Sequence, residues 1–197
     1  MTNVALDVRR AAWGVRACGV VIGAFLVAGA AQVSIPLPGT PVPMTLQPLA
    51  VLLVGGLLGS ELGALSMILY LAMGAAGLPV FTPTVPLAGI ARLFGPTGGY
   101  LLAYPVAAWA VGAIVPPLRR RGSEGADGSR VWRVAGGVLA GLVLIHLGGL
   151  AQLAILTGDL RAAAQFGTWP FLLGDFLKLV IAVPVLLKLT PTIRARL

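Results

Sequence analysis

The chain has 197 residues, 58% of them hydrophobic and only 10% charged, with a formal net charge of +8. Soluble domains carry about 25% charged residues, so this composition excludes a water-soluble fold, and its apolar content excludes a disordered chain. A spanning helix takes roughly 20 apolar residues, so the length fits about six of them with their loops, and the reading is an all-α integral membrane protein forming a single transmembrane domain over 1–197.

Residues 1–16 are a polar arm with Arg9, Arg10 and Arg16, and span one covers about 17–33. The basic start, apolar middle and Ala28-Gly29-Ala30 have the layout of a secretory leader. The segment is expected to be retained, because without it the remaining spans lose the charge pattern given below. Residues 34–45 hold Pro36, Pro38, Pro41 and Pro43. Proline lacks an amide proton and disfavours helix in the residue before it. This stretch is therefore extended, and its weak polarity places it in the membrane interface.

Residues 46–77 are apolar apart from Gln47, Ser60, Glu61 and Ser66. They are too many for one span and few for two. Gly55-Gly56 and Gly59-Ser60-Glu61 mark a tight hairpin between span two, about 46–59, and span three, about 62–77. Residues 78–96 form a Pro- and Gly-rich loop containing Arg92. Span four covers about 97–118 and ends at Arg119-Arg120-Arg121. A solvated loop follows over 122–130. Span five covers about 131–156, 157–169 is a loop, and span six covers about 170–189. There is no internal repeat.

Six transmembrane helices place both termini on one side. That side receives Arg9, Arg10, Arg16, Arg119, Arg120, Arg121, Arg130, Arg133, Lys188, Arg194 and Arg196, and the other receives only Arg92 and Arg161. The positive-inside rule then makes both termini cytoplasmic, in a multi-pass cell-membrane protein. The positive charge is thus read as topology in a lipid bilayer, with no nucleic-acid partner.

A single cysteine, Cys18, excludes an internal disulfide, and a single histidine, His146, excludes a multi-histidine metal site. No G-x-x-x-x-G-K-[ST] loop occurs, so ATP hydrolysis, if it drives the work, belongs to another subunit. Charges inside a membrane cost roughly 2.5–3.5 kcal/mol each on insertion scales. Only Asp175 and Lys178 lie clearly inside a span, and their spacing of three sets them on one helix face. They offer an acceptor and a donor at one depth, suited to a small neutral group bearing both N–H and C=O. The competing reading is an ion pair that fixes packing.

Arg92 stands where an anionic substrate would arrive, or where an interfacial arginine snorkels to headgroups. Thr40, Thr45 and Gln47 can hydrogen-bond a solute beneath the Pro-rich segment acting as a lid, while Thr45 equally suits a helix cap. Gly95-Pro96-Thr97-Gly98-Gly99-Tyr100 opens span four as a helix start, and Tyr100 can line a cavity. Gly19-x-x-x-Gly23 and Ala24-x-x-x-Ala28 suit close helix contact. His146 and Gln152 read as helix–helix hydrogen bonders, and Arg161 with Asp159 as a solvated pair. No constellation demands catalysis.

Four motifs in order now carry a family resemblance. They are Gly39-Thr40-Pro41-Val42-Pro43-Met44-Thr45-Leu46-Gln47; Leu69-Tyr70 with Gly74-Ala75-Ala76-Gly77-Leu78-Pro79-Val80-Phe81; Gly95-Pro96-Thr97-Gly98-Gly99-Tyr100-Leu101; and Pro170-Phe171 through Gly174-Asp175 to Lys178. Together they resemble the BioY family, the substrate-binding S components of energy-coupling-factor (ECF) biotin transporters. The resemblance implies a six-helix S-component fold and high-affinity biotin capture in an outward cavity. It also implies a first-loop lid, and docking of span one on a transmembrane T component coupled to two ABC-type ATPases. It implies no cofactor, biotin being the cargo.

The ureido ring of biotin has two N–H donors for Asp175 and a C=O for Lys178. Its carboxylate suits Arg92, with Lys178 as the alternative partner, and Tyr100 suits the thiophane ring. Two positions depart from the family pattern. Thr82-Pro83-Thr84-Val85-Pro86 replaces a Gly-rich stretch, and Gln152 stands where an aromatic wall residue is common. The alternatives are an S component for another small vitamin, a facilitator that works without partners, and an intramembrane enzyme.

Overall fold

The computed structural model describes residues 2–115 and 127–197, with side chains from Trp13 and, after the break, from Gly128. Arg119-Arg120-Arg121 and the end of span four lie outside the described residues, as do the side chains of Arg9 and Arg10.

Helix α1, Thr2–Gln32, takes in the basic arm and continues through span one. At its end the Pro-rich segment turns back on itself. Ser34–Ile35 (β1) and Met44–Thr45 (β2) pair antiparallel, Ser34 opposite Thr45. Helices α2, Gln47–Leu58, and α3, Ser60–Ala75, form the expected hairpin. Its turn is the single residue Gly59 at φ +91°, whose N–H donates to Gly55 O. A side chain there is strained by that left-handed backbone. The turn presses on α5, Gly98–Ile114, so closely that a Cβ on Gly112 would meet the Ser60 backbone nitrogen.

A four-residue helix, α4 (Ala91–Phe94), sits within the loop before α5. Helix α6, Asp127–Thr157, is followed by α7, Leu160–Gly167, which occupies the stretch expected as a loop. It forms because Asp159 caps it: the carboxylate accepts the Arg161 backbone N–H at 2.7 Å. Asp159 is thus a helix cap rather than a solvated partner for the Arg161 guanidinium. A 3-10 turn, Trp169–Phe171, leads into α8, Leu172–Arg194. Pro191 inside α8 leaves Leu187 O without its usual helical donor; Arg130 Nη2 from α6 donates to it at 3.2 Å.

Two apolar cores form. One gathers α1, α2, α3, α5, the end of α6 and Phe171 around Tyr70, Met67 and Tyr104. The other joins Leu52, Val111, Val134, Val138 and Leu186, where α5 and α8 end and α6 begins. Many large apolar side chains face outward, among them Phe25, Trp109, Trp132, Ile155 and Phe176. Such a surface suits lipid. Trp13–Gln32, Gly128–Thr157 and the helices within Leu160–Arg194 are long and apolar enough to cross a membrane, whereas α2, α3 and α5 are shorter apolar helices. At about 1.5 Å per residue, α2 spans roughly 18 Å, well under a bilayer core of about 30 Å.

Candidate functional site

The ends of α2, α5, α6 and α8 that meet the first core leave a cavity with about 50 Å³ open to the centres of water molecules. Apolar walls come from Val42, Phe81, Leu101, Ile145 and Phe171, and polar groups from Thr45, Gln47, Arg92, Tyr100, His146, Asp175 and Lys178. Asp175 and Lys178 lie in the first two turns of α8 and are 7% and 6% exposed. Lys178 Nζ donates to Asp175 Oδ1 at 2.7 Å.

The other carboxylate oxygen meets His146 Nε2 at 2.6 Å. This histidine links α6 to α8 by a hydrogen bond, as its sequence position suggests, and it also lines the cavity. Nothing in the sequence pairs His146 with Asp175, which lies twenty-nine residues away. Only the antiparallel packing of α6 and α8 brings them together.

Arg92 is 4% exposed, so it does not snorkel to a headgroup layer. Its Nε donates to Leu87 O at 2.7 Å, and its Nη2 donates to Thr82 O at 2.8 Å and Val85 O at 2.7 Å. One guanidinium thereby fixes the 82–87 loop whose sequence departs from the family pattern. Burial lowers the Arg92 pKa from its ordinary value, but a guanidinium stays charged. Its Nη1 is buried without a partner, as are Thr97 Oγ1 and His146 Nδ1. All three atoms belong to cavity-lining residues.

Gln47 is buried, and its Nε2 donates to Tyr70 Oη at 2.6 Å while Oε1 accepts from Thr45 Oγ1 at 3.2 Å. Thr45 Oγ1 also accepts the Gln47 backbone N–H at 3.3 Å. The N-cap of α2 is Leu46, without a side-chain cap, so Thr45 is not the cap; it stands one residue earlier and lines the cavity. Tyr70, which the sequence marks only as part of a motif, anchors the amide of Gln47.

Tyr100 donates its hydroxyl to Gly167 O at 2.6 Å, and a Cβ on Gly149 would meet its ring. Thr40 does not line the cavity. Its hydroxyl donates to Phe166 O at 2.6 Å and accepts the Val42 N–H at 3.1 Å, so it ties the Pro-rich segment to α7. Gln152 is not a wall residue either. Its Nε2 donates to Leu93 O at 3.0 Å and Gly95 O at 2.7 Å, holding the link between α4 and α5. Among the described residues no group of three His, Cys, Asp or Glu side chains is placed to hold a metal ion.

Comparison with known proteins gives a consistent picture. The model of the BioY family matches residues 4–195. The chain is 37% identical over 169 residues to the biotin transporter BioY of Thermotoga maritima, covering 86% of this chain and 91% of that protein. It is 35% identical over 170 residues to the biotin transporter BioY of Rhodobacter capsulatus, covering 82% and 85% respectively. The crystal structure of the S-component for biotin from an ECF-type ABC transporter superposes with a TM-score of 0.76 at 25% identity, over 96% of this chain and 94% of that one.

Proposed function

Because the chain belongs to the BioY family, we propose that it captures biotin as the substrate-specific subunit of an ECF-type ABC transporter. It is a transport subunit and not an enzyme. The observation that carries the reading is the charge and bonding capacity of the cavity. Arg92 and Lys178 are cations and Asp175 an anion, so these three side chains together carry one net positive charge. A monoanion balances it. Biotin supplies one carboxylate, a neutral head with donors and an acceptor side by side, and an apolar ring between them.

In this reading Asp175 accepts from the ureido N–H groups and Lys178 donates to the ureido oxygen. The unpartnered Nη1 of Arg92 receives the carboxylate, and Tyr100 with Phe171 flanks the ring. Thr45 and Gln47 complete the polar wall. The ligand-free cavity has room for only a few water molecules, so entry of a bicyclic head requires the 36–44 segment to swing away. Thr40, tied to α7, acts as its latch. No cofactor or metal takes part.

The wider assignment follows from the same reading. The chain is one domain of six spans, with both termini cytoplasmic. Its energy comes from a T component and two ABC-type ATPases, against which α1 docks. The charge asymmetry supports the orientation.

Calorimetric titration of the purified, detergent-solubilised protein with biotin, starting ligand-free, tests the central reading. Tight one-to-one binding is expected. Asp175→Asn and Lys178→Ala should each weaken it by a factor of ten or more, since a hydrogen bond to a charged group contributes about 1.5–3 kcal/mol. Folded wild-type protein that takes up no biotin refutes the assignment.

A further inference from the structure

Asp175 supplies the carboxylate of the cavity, and its lysine neighbour stands three residues on along the same helix. Such a pair has an alternative to binding a ligand. The ammonium can settle across both carboxylate oxygens and close an ion pair, leaving little for a third party.

The observed arrangement is different. Lys178 holds Oδ1, while His146 of α6 holds Oδ2. An ionised carboxylate only accepts hydrogen bonds, so His146 must carry its proton on Nε2. Its Nδ1 is buried without a partner. The ring stands edge-on to Tyr100, with centroids 6.3 Å apart and planes at 80°.

We propose that His146 is a positioning residue of the ligand site. By occupying Oδ2 it holds the Asp175–Lys178 pair open, so that Lys178 keeps N–H groups and Asp175 keeps lone pairs for a head group with donor and acceptor side by side. This rests on the biotin reading above, in which that head is the ureido ring. His146 acts through Asp175, and its loss lets Lys178 close over both oxygens.

The test is biotin titration of wild type, His146→Leu, His146→Gln and His146→Asn, each with its ligand-free melting temperature. His146→Leu is expected to bind about tenfold to a hundredfold more weakly while melting as wild type does, since the closed ion pair remains satisfied. His146→Gln keeps an amide N–H that reaches Oδ2 and should recover most of the affinity. His146→Asn is too short to reach and should lose affinity as the leucine variant does, which keeps the test intact if the leucine variant does not fold. Unchanged affinity in His146→Leu and His146→Asn, or equal loss in all three variants, overturns the positioning role and leaves the biotin reading standing. A wild type that binds no biotin overturns both.

Discussion

Two arginines, the half-buried Arg194 at one end of the helix bundle and the buried Arg92 at the other, show how like charges serve unlike ends. At the C-terminal end of α8, Arg194 spends every guanidinium nitrogen on main-chain carbonyls. Nη1 donates to Val115 O at 2.7 Å, Nη2 to Gly56 O at 2.8 Å and Gly112 O at 3.1 Å, and Nε to Gly56 O at 3.2 Å. These carbonyls close α2 and α5, where no helical donor is available. A helix end in an apolar setting needs such a partner. Arg194 joins the ends of three helices, and none of its guanidinium nitrogens is left without an acceptor.

Arg92 starts the same way, with Nε and Nη2 on three loop carbonyls. It then stops short, because Nη1 faces no acceptor. Two other cavity-lining atoms, Thr97 Oγ1 and His146 Nδ1, share that incompleteness, as do Arg130 Nε, Thr168 Oγ1 and Thr190 Oγ1 outside the cavity. Native proteins leave few buried polar atoms unpaired. A saturated charge holds the fold together, and an unsaturated one beside a cavity is available for binding.

That contrast can be broken by substitution. The largest expected effect is Arg194→Met, which strands the carbonyls that close α2 and α5. It should cost about 3 kcal/mol of stability, seen as a lowered melting temperature in detergent, with the biotin affinity of the surviving folded protein unchanged. A loss of affinity without a loss of stability contradicts the division of roles. Next is Arg92→Met, expected to weaken biotin about tenfold or more, as for a lost charge-assisted hydrogen bond. The same variant should bind the carboxamide of biotin about as well as wild type does, because that ligand lacks the charge that Nη1 would meet. An equal penalty for both ligands means that Arg92 acts only by shaping the 82–87 loop. The smallest effect belongs to Thr40→Val, which removes one neutral hydrogen bond worth about 1 kcal/mol. Stopped-flow release of biotin should quicken about fivefold, with little change in melting temperature; an unchanged release rate removes the latch.

Much of this was legible beforehand. The α2–α3 hairpin follows from Gly59 between two apolar runs, and the structure ends α2 at Leu58 and starts α3 at Ser60. Helix α7 was missed although Asp159 stands ready as its cap. It is only eight residues long, and three of its five apolar side chains are alanine methyls, so a loop composition masks it. Gln152 reads as a hydrogen bonder from its place in an apolar span, and as a wall position only through the family pattern. Its amide instead reaches the carbonyls of Leu93 and Gly95, which the sequence does not mark as acceptors. Arg92 was visible as an isolated charge, but its burial was not, since the carbonyls that surround it come from its own loop.

The sequence by itself determined the apolar helices, the breaks between them and the scarcity of intramembrane charge. These depend on local backbone chemistry and on transfer free energy, which are properties of each segment alone. The pairing of His146 with Asp175, the saturation of Arg194 and the unpartnered nitrogen of Arg92 depend on which helix lies beside which. Hydrogen bonds of this kind form only within about 3 Å and with directed geometry. Tertiary packing therefore decided which polar atoms are paired across the fold and which are left without a partner.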